Sequence, residues 1–467
     1  MRTNLARRTV AFAPIGSPSA ARAVKVGSLL VRFLSIILVI VCVGCPNGTT
    51  TCGSGIDVRN VDDSGVPAWI KEHILWEPGK IIGKFRVPKP GDPPQPHPLY
   101  PSGKIVVIRI ATSDWPANSA ATSGYINRIF FYLNSPGARF SRSVADYYRE
   151  NSYGQFVPSS GGIPDWVTLG SLATYGDVES SIPLLKHVLR EADVNWPVLD
   201  TNGDDVISQA EAQIVLLIPN GTPTSGYASK RDRTIGSTPT PYGWHDFGTR
   251  PIVYFSLKAE SEPDSDVNPI RFHASVIHEL HHAFFALPDR YGEFSGTGPY
   301  DHMTLDRSWL HLTMFDKMKI GWIQPKILNA HYGKCLRFPA SESTPAALVL
   351  VKPEPVLVPE DPLEYWVVEN RNHAFSSGGY DENLLEDGLA IWYVREGTYS
   401  IGHDEVHLVN AALPDTEADW YHDPYYGALF KLDPSDEKRL LLDGEGAWSF
   451  LWFQKISAPG QYMYGEF

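Results

Sequence analysis

Cysteine is scarce in this chain: there are four in 467 residues, Cys42, Cys45, Cys52 and Cys335, and their spacing describes no thiolate zinc cage. Positive charge is short as well. Against 53 Asp and Glu stand 40 Lys and Arg, a formal charge of -13, which argues against a phosphate-binding surface and against nucleic acid as a partner. Methionine is rare, with five residues, so each one in a patterned segment is informative. An apolar run long enough to span a bilayer is missing from the N-terminus. The run Phe33 to Gly44 holds twelve uncharged residues, the length of a signal-peptide core and short for a transmembrane helix.

What is present starts with that run. Arg2, Arg7, Arg8, Arg22 and Lys25 precede it, and Cys42-Val43-Gly44-Cys45 ends it. The ending resembles the cleavage box of bacterial lipoproteins, with Cys45 as the lipidation candidate and Cys42 standing where such boxes usually carry leucine. Residues 1–45 are therefore expected to form a signal peptide, either of the lipoprotein type or for free secretion. The chain is expected to be exported, touching a membrane only through a lipid anchor. Cys52 and Cys335 then remain, either paired in an oxidising compartment or as two thiols.

With 43% hydrophobic residues the rest is long enough for two cores. Residues 46–103 read as a tether and entry segment, since Val87 to Gly103 is too rich in proline to join a sheet. The piece ahead of it, from Val66 to Phe85, has apolar residues enough to pack on something. Continuous apolar runs at 105–111, 213–220 and 252–259 read as strands buried on both faces, with helices over 121–133, 143–151 and 182–192. Alternation of this kind predicts a mixed α/β catalytic domain over 104–325. From 326 to 467 short strand-like runs broken by Gly, Pro, Asn and Asp predict a C-terminal antiparallel β-domain, so the fold class is α+β.

The stretch HELHHAFFALPDRYG, 278–292, carries metal chemistry. On a helix His278 and His282 stand one turn apart on one face and can offer two imidazole nitrogens to a single Zn²⁺. Glu279 is the residue that in the HExxH pattern takes the proton of the attacking water. With His278 at 0°, the apolar residues Val276, Ile277, Leu280, Phe284 and Leu287 fall between roughly 160° and 260° on the helical wheel, so the pair faces away from the core stripe.

A second ligand-bearing stretch is DTNGDDVISQAE, 200–211. Asp200, Asn202, Asp204, Val206 through its carbonyl, and Glu211 occupy positions 1, 3, 5, 7 and 12 of an EF-hand calcium loop, with Ser208 at 9 and Ile207 at the apolar position 8. Position 6, normally glycine, is Asp205, a residue type that tolerates φ > 0 better than most. The plain alternative is a solvated acidic turn.

Several ordered motifs resemble the immune-inhibitor-A-like family of secreted bacterial zinc metallopeptidases: SVADYYRENSYGQF (143–156), LPDRYG after the helix, Asp-His-Met at 301–303, KMKIGWIQP (317–325), ENRN (369–372) and EDGLAIWYV (386–394). The resemblance implies a zincin-like catalytic domain, Zn²⁺ as cofactor and protein or peptide substrates, while Met303, roughly twenty residues past the helix, is the candidate for a tight turn beneath the metal of the kind several peptidase clans carry. The resemblance also implies Asp289 as third zinc ligand. Here the chain departs from the family, whose helix runs HExGH with a glycine three residues past the second histidine. His281 and Phe285 stand at those two glycine places, and Asp289 comes eleven residues after His278, one more than the family's spacing. Tyr300, His302 and His281 are candidates to stabilise an oxyanion. Two readings follow: a zinc endopeptidase, or an inactive peptidase-like surface lipoprotein that acts as a binding module, favoured by the irregular third-ligand region.

Overall fold

The chain divides into two units, Met1–Thr49 and Thr50–Phe467. The computed structural model describes residues 55–66, 68–75, 103–119, 121–133, 143–175, 181–219, 226–228, 233–257, 268–290, 295–304, 309–329, 335–351, 364–376, 380–381, 384–399, 403–409, 429, 439–442, 448–453, 456 and 459–467. The signal-like run, Cys45, Cys52 and the proline-rich stretch lie outside them. Within the second unit the described residues form a mixed α+β structure with six α-helices and several sheets.

The first sheet contains β1 (Lys104–Ala111), β2 (Ser159–Gly162), β3 (Gln213–Pro219), β4 (Gly226–Ala228) and β5 (Val253–Leu257), in the order β2-β1-β3-β5-β4. The first four in that order run parallel, and β4 is antiparallel at the edge. Alternate residues of these strands point to opposite faces, and both faces are covered. Ile105, Val107, Val215, Leu217 and Phe255 join a core with residues of α2 (Ser123–Phe131), α3 (Val144–Asn151) and α5 (Asn268–Phe285). Val106, Ile108, Ile214, Leu216 and Tyr254 pack against Leu184, Leu185, Val188 and Leu189 of α4 (Ile182–Glu191). Two covered faces explain the unbroken apolar runs. Thr122, Ser143 and Ser181 cap the starts of α2, α3 and α4, each accepting a backbone N–H from the first turn.

The second sheet runs β6 (Ser295–Gly296), β11 (His403–Leu408), β10 (Gly388–Tyr399), β9 (Glu364–Arg371), β8 (Leu348–Val351) and β7 (Lys326–Asn329). Its centre is antiparallel, while β6 and β7 pair parallel at its two edges. One face packs on Met314, Phe315 and Met318 of α6 (Met314–Ile320) and on Ile70 and Ile74 of α1 (Ala68–Leu75). The other face meets Val58, Val61, Phe338 and Met463.

Residues on both sides of position 326 thus build this sheet, and part of the 46–103 segment is folded onto it. Ile56–Asp57 pairs parallel with Cys335–Pro339. The Asp57 carboxylate, held down to about 2 chiefly by its bond to Arg59, also receives Arg337, so two guanidiniums fasten the entry segment. Cys335 beside it is disulfide-bonded, and its partner lies outside the described residues.

Candidate metal centre

Helix α5 carries both histidines of the motif. Its burial is wider than a single stripe predicts: between His273 and Phe285 only Glu279 and His282 are other than buried. The two half-buried residues mark the side on which the helix opens. Val276, Ile277, Leu280 and Phe284 occupy the core face.

Three ligand atoms converge on that open side. His278 Nε2 and His282 Nε2 lie 3.2 Å apart, and Asp289 Oδ1 is 3.1 Å from the first and 3.0 Å from the second. The outer ring nitrogens settle the tautomers. His278 Nδ1 donates to the His302 carbonyl at 3.2 Å and His282 Nδ1 donates to the Leu287 carbonyl, and a carbonyl can only accept. In the neutral rings both Nε2 atoms therefore present lone pairs to each other and to a carboxylate oxygen, a convergence that a bound cation or a shared proton relieves. Around a tetrahedral Zn²⁺ with bonds of about 2.0–2.1 Å, neighbouring ligand atoms stand about 3.3 Å apart. The triangle His278–His282–Asp289 fits one face of that tetrahedron. Burial works against charge on His278, but the Asp289 bond, the Glu279 charge and the His302 carbonyl outweigh it and raise its pKa.

The bend between α5 and Asp289 falls at Ala286. Helix α5 continues through Phe285, which is buried with its ring 5.2 Å from that of Trp322, and the left-handed turn falls one residue later, with Ala286 at φ +53°. The Ala286 amide donates to the His282 carbonyl at 3.0 Å, which closes the helix, and the chain then turns Asp289 back towards the histidines.

Beneath the histidines lies a turn over Asp301–Thr304, closed by the Thr304 amide on the Asp301 carbonyl at 3.1 Å. Met303 is fully buried in it. Burial and the charge of Asp316 lift the Asp301 carboxyl to about 7, with Arg290 opposing. The three oxyanion candidates face inwards. Tyr300 donates its hydroxyl to Glu386 at 2.8 Å, and His302 Nε2 donates to the Ala274 carbonyl at 3.0 Å. His281, the third candidate, is wholly buried, its ring centre 5.7 Å from Tyr147 and 5.3 Å from Tyr148. Burial pushes its pKa well below the ordinary histidine value, so it is a neutral core residue.

In the loop 200–211, carboxylate oxygens of Asp200, Asp204 and Glu211 lie within 4.8 Å of one another. Asp200 accepts the amides of Gly203, Asp204 and Asp205, while Asp204 accepts those of Val206 and the side chain of Asn202. Glu211 is buried, with one oxygen on Thr201 and Asn202 and the other on Ser208. Asp205 takes φ +60°, the conformation that position 6 needs. Ile207, buried, donates its amide to the Asp246 carbonyl at 2.7 Å, which docks the hairpin Ser237–Thr240 and Gly243–Asp246 on the loop. An all-oxygen donor set of this kind suits calcium.

The orienting carbonyls of His302 and Leu287 were beyond sequence reasoning, since main-chain acceptors leave no residue signature. Arg290 did have one, as the last position of Leu-Pro-Asp-Arg. Comparison with family models, with curated proteins and with solved structures returns no match.

Proposed function

We propose that this chain is an exported zinc-dependent endopeptidase, with a zincin-like catalytic part over 104–325 followed by the β-rich part over 326–467. The observation that carries the reading is the convergence of His278 Nε2, His282 Nε2 and Asp289 Oδ1 with Glu279 on the same open side of α5. Zn²⁺ held by these three would supply Lewis acidity, polarising a scissile carbonyl and bringing the pKa of water towards about 7. Glu279 takes the proton of the attacking water and delivers it to the departing amine. Strand β4, antiparallel at the edge of the first sheet and packed on α5, offers backbone groups on which an extended peptide substrate adds as a further strand. The acidic chain takes protein or peptide substrates and no nucleic acid.

Calcium at Asp200, Asn202, Asp204, Val206 and Glu211 is proposed as a structural ion. Export is supported by the disulfide of Cys335, a bond of oxidising compartments, and Cys45 remains the proposed lipidation point. No described helix is long and apolar enough to cross a membrane. The second reading, an inactive peptidase-like surface lipoprotein acting as a binding module, draws on the irregular spacing before Asp289.

The test is purified Glu279→Gln. It is expected to retain about one zinc per chain by elemental analysis and to lose casein cleavage by roughly 10²–10⁴-fold. Undiminished cleavage with zinc in place defeats the proposal, and a well-folded wild type without zinc points to the binding module.

A further inference from the structure

Asp289 is the one member of the metal triad that no helix holds. His278 and His282 are fixed by α5, whereas Asp289 follows the helix end on irregular chain. A carboxylate on loose chain makes a weak ligand, because each binding event has to order the segment again.

The next residue, Arg290, ties that chain down at three points. Its amide donates to the Met303 carbonyl at 3.0 Å, its carbonyl accepts the Thr304 hydroxyl at 3.0 Å, and its Nη2 donates to Asp316 Oδ1 at 2.8 Å. The Arg290 and Asp316 side chains are 4% and 1% exposed. Asp316 is itself immobilised in the first turn of α6. The Thr313 hydroxyl donates to its Oδ2 at 3.1 Å, and its amide donates back to that hydroxyl at 3.1 Å. The guanidinium also lies over the Phe315 ring, 5.2 Å from its centre. A dry Arg–Asp pair is poorly explained by stability alone, since apolar residues of similar volume often serve a core as well or better.

We propose that the Arg290–Asp316 pair is the positioning device for the third metal ligand: it anchors the loop end so that Asp289 Oδ1 stays in register with the two Nε2 atoms. The pair acts through Asp289 and touches no substrate. The main-chain bonds of Arg290 end on the same Asp301–Thr304 turn whose His302 carbonyl orients His278, so one anchored turn serves two ligands. This inference rests on the zinc reading above.

The experiment compares full-length wild type with Arg290→Met, Arg290→Lys, Asp316→Asn and Asp289→Asn, and with the double variant Arg290→Met/Asp289→Asn. Zinc affinity is measured by competition with a chromogenic chelator, ligand geometry by the visible spectrum of the cobalt(II)-loaded protein, and folding by near-UV circular dichroism of the metal-free protein. Arg290→Met and the isosteric Asp316→Asn are expected to weaken zinc binding by about 10–100-fold, with a changed cobalt spectrum and an intact fold, and Arg290→Lys to recover part of the loss. Because Arg290 works through Asp289, the double variant is expected to bind zinc no more weakly than Asp289→Asn alone. A merely structural pair gives folded variants with wild-type zinc affinity and spectrum, or losses that add in the double variant, and either result overturns the proposal. Should Arg290→Met fail to fold, Asp316→Asn decides on the same criteria. Wild type that takes up no zinc overturns the metal-centre reading and this inference together, whereas zinc-binding wild type with equally tight variants overturns this inference alone.

Discussion

Ala286 has the backbone that glycine usually supplies. At φ +53° an L-residue crowds its own carbonyl, at about 1–2 kcal/mol, whereas glycine is free of that clash and gives back about 0.5–1 kcal/mol through its larger unfolded-state entropy. Ala286 is exposed, so removing its methyl leaves no cavity. Ala286→Gly is therefore expected to stabilise the chain by up to about 1 kcal/mol, and Ala286→Val, β-branched at a left-handed position, to destabilise it by more than about 1 kcal/mol. Urea midpoints of the metal-free proteins measure both. A destabilising glycine would mean that the turn before Asp289 is not left-handed in solution. Phe285, which stands where the resembled family carries a glycine, is an aromatic core residue beside Trp322. The sequence shows no glycine between His282 and Asp289 but not which peptide takes the left-handed turn, because that depends on whether the Phe285 ring has somewhere to pack.

The loop 200–211 and helix α5 are separate elements that touch: Gln209 Nε2 donates to the Ala283 carbonyl at 2.6 Å, in the last turn of the helix. Calcium at the proposed site would stabilise the folded state by mass action, about 2.7 kcal/mol when free calcium is a hundredfold above its dissociation constant. Wild-type thermal midpoint is expected to fall when a calcium-selective chelator is added and to recover with excess calcium. In Asp204→Ala that response is expected to vanish, and an unchanged calcium-dependent shift in the variant would sink the calcium assignment. Elements such as these were readable to different depths. The apolar runs expected at 105–111, 213–220 and 252–259 are strands over 104–111, 213–219 and 253–257, because a strand covered on both faces writes its burial into consecutive residues. The EF-hand-like spacing was equally local. Strand order, the antiparallel β4 and the hairpin docked on Ile207 were not legible, since each is decided by a partner far along the chain.

At the scale of the whole second unit, three of the sequence motifs meet in one buried charge network. Arg371 of ENRN is fully buried, with Nη2 on Asp381 at 2.8 Å, Nε 3.4 Å from Glu342, and Nη1 donating to the Tyr300 carbonyl at 3.0 Å, one residue before the turn beneath the histidines. Glu369 of the same motif accepts the Met314 amide and the Trp392 indole N–H. Lys317 of KMKIGW, lowered to about 8 by burial, reaches His311 and the Tyr153 hydroxyl of NSYGQF. Each motif was visible as a string of residues, but not their convergence, because an ion network is specified only by three-dimensional neighbours. Arg371 is the cation that most of these carboxylates share. Replacing it with methionine leaves Asp381, Glu342 and Glu369 buried together with Lys317 as the cation that still faces all three, an imbalance worth about 3–5 kcal/mol. Burial, followed by the charge of Asp381, already raises the Glu342 carboxyl well above its usual range, and Arg371 opposes that rise. Without the guanidinium the folded cluster therefore binds protons more tightly than the unfolded chain does, and its stability rises as pH falls. Arg371→Met is thus expected to show its largest deficit in urea denaturation at pH 8 and a smaller one at pH 5.5, measured against wild type at each pH. A deficit under about 1 kcal/mol, or one that grows towards acid, would mean that the carboxylates are neutral or separately paired and that Arg371 is not the hub of the interior.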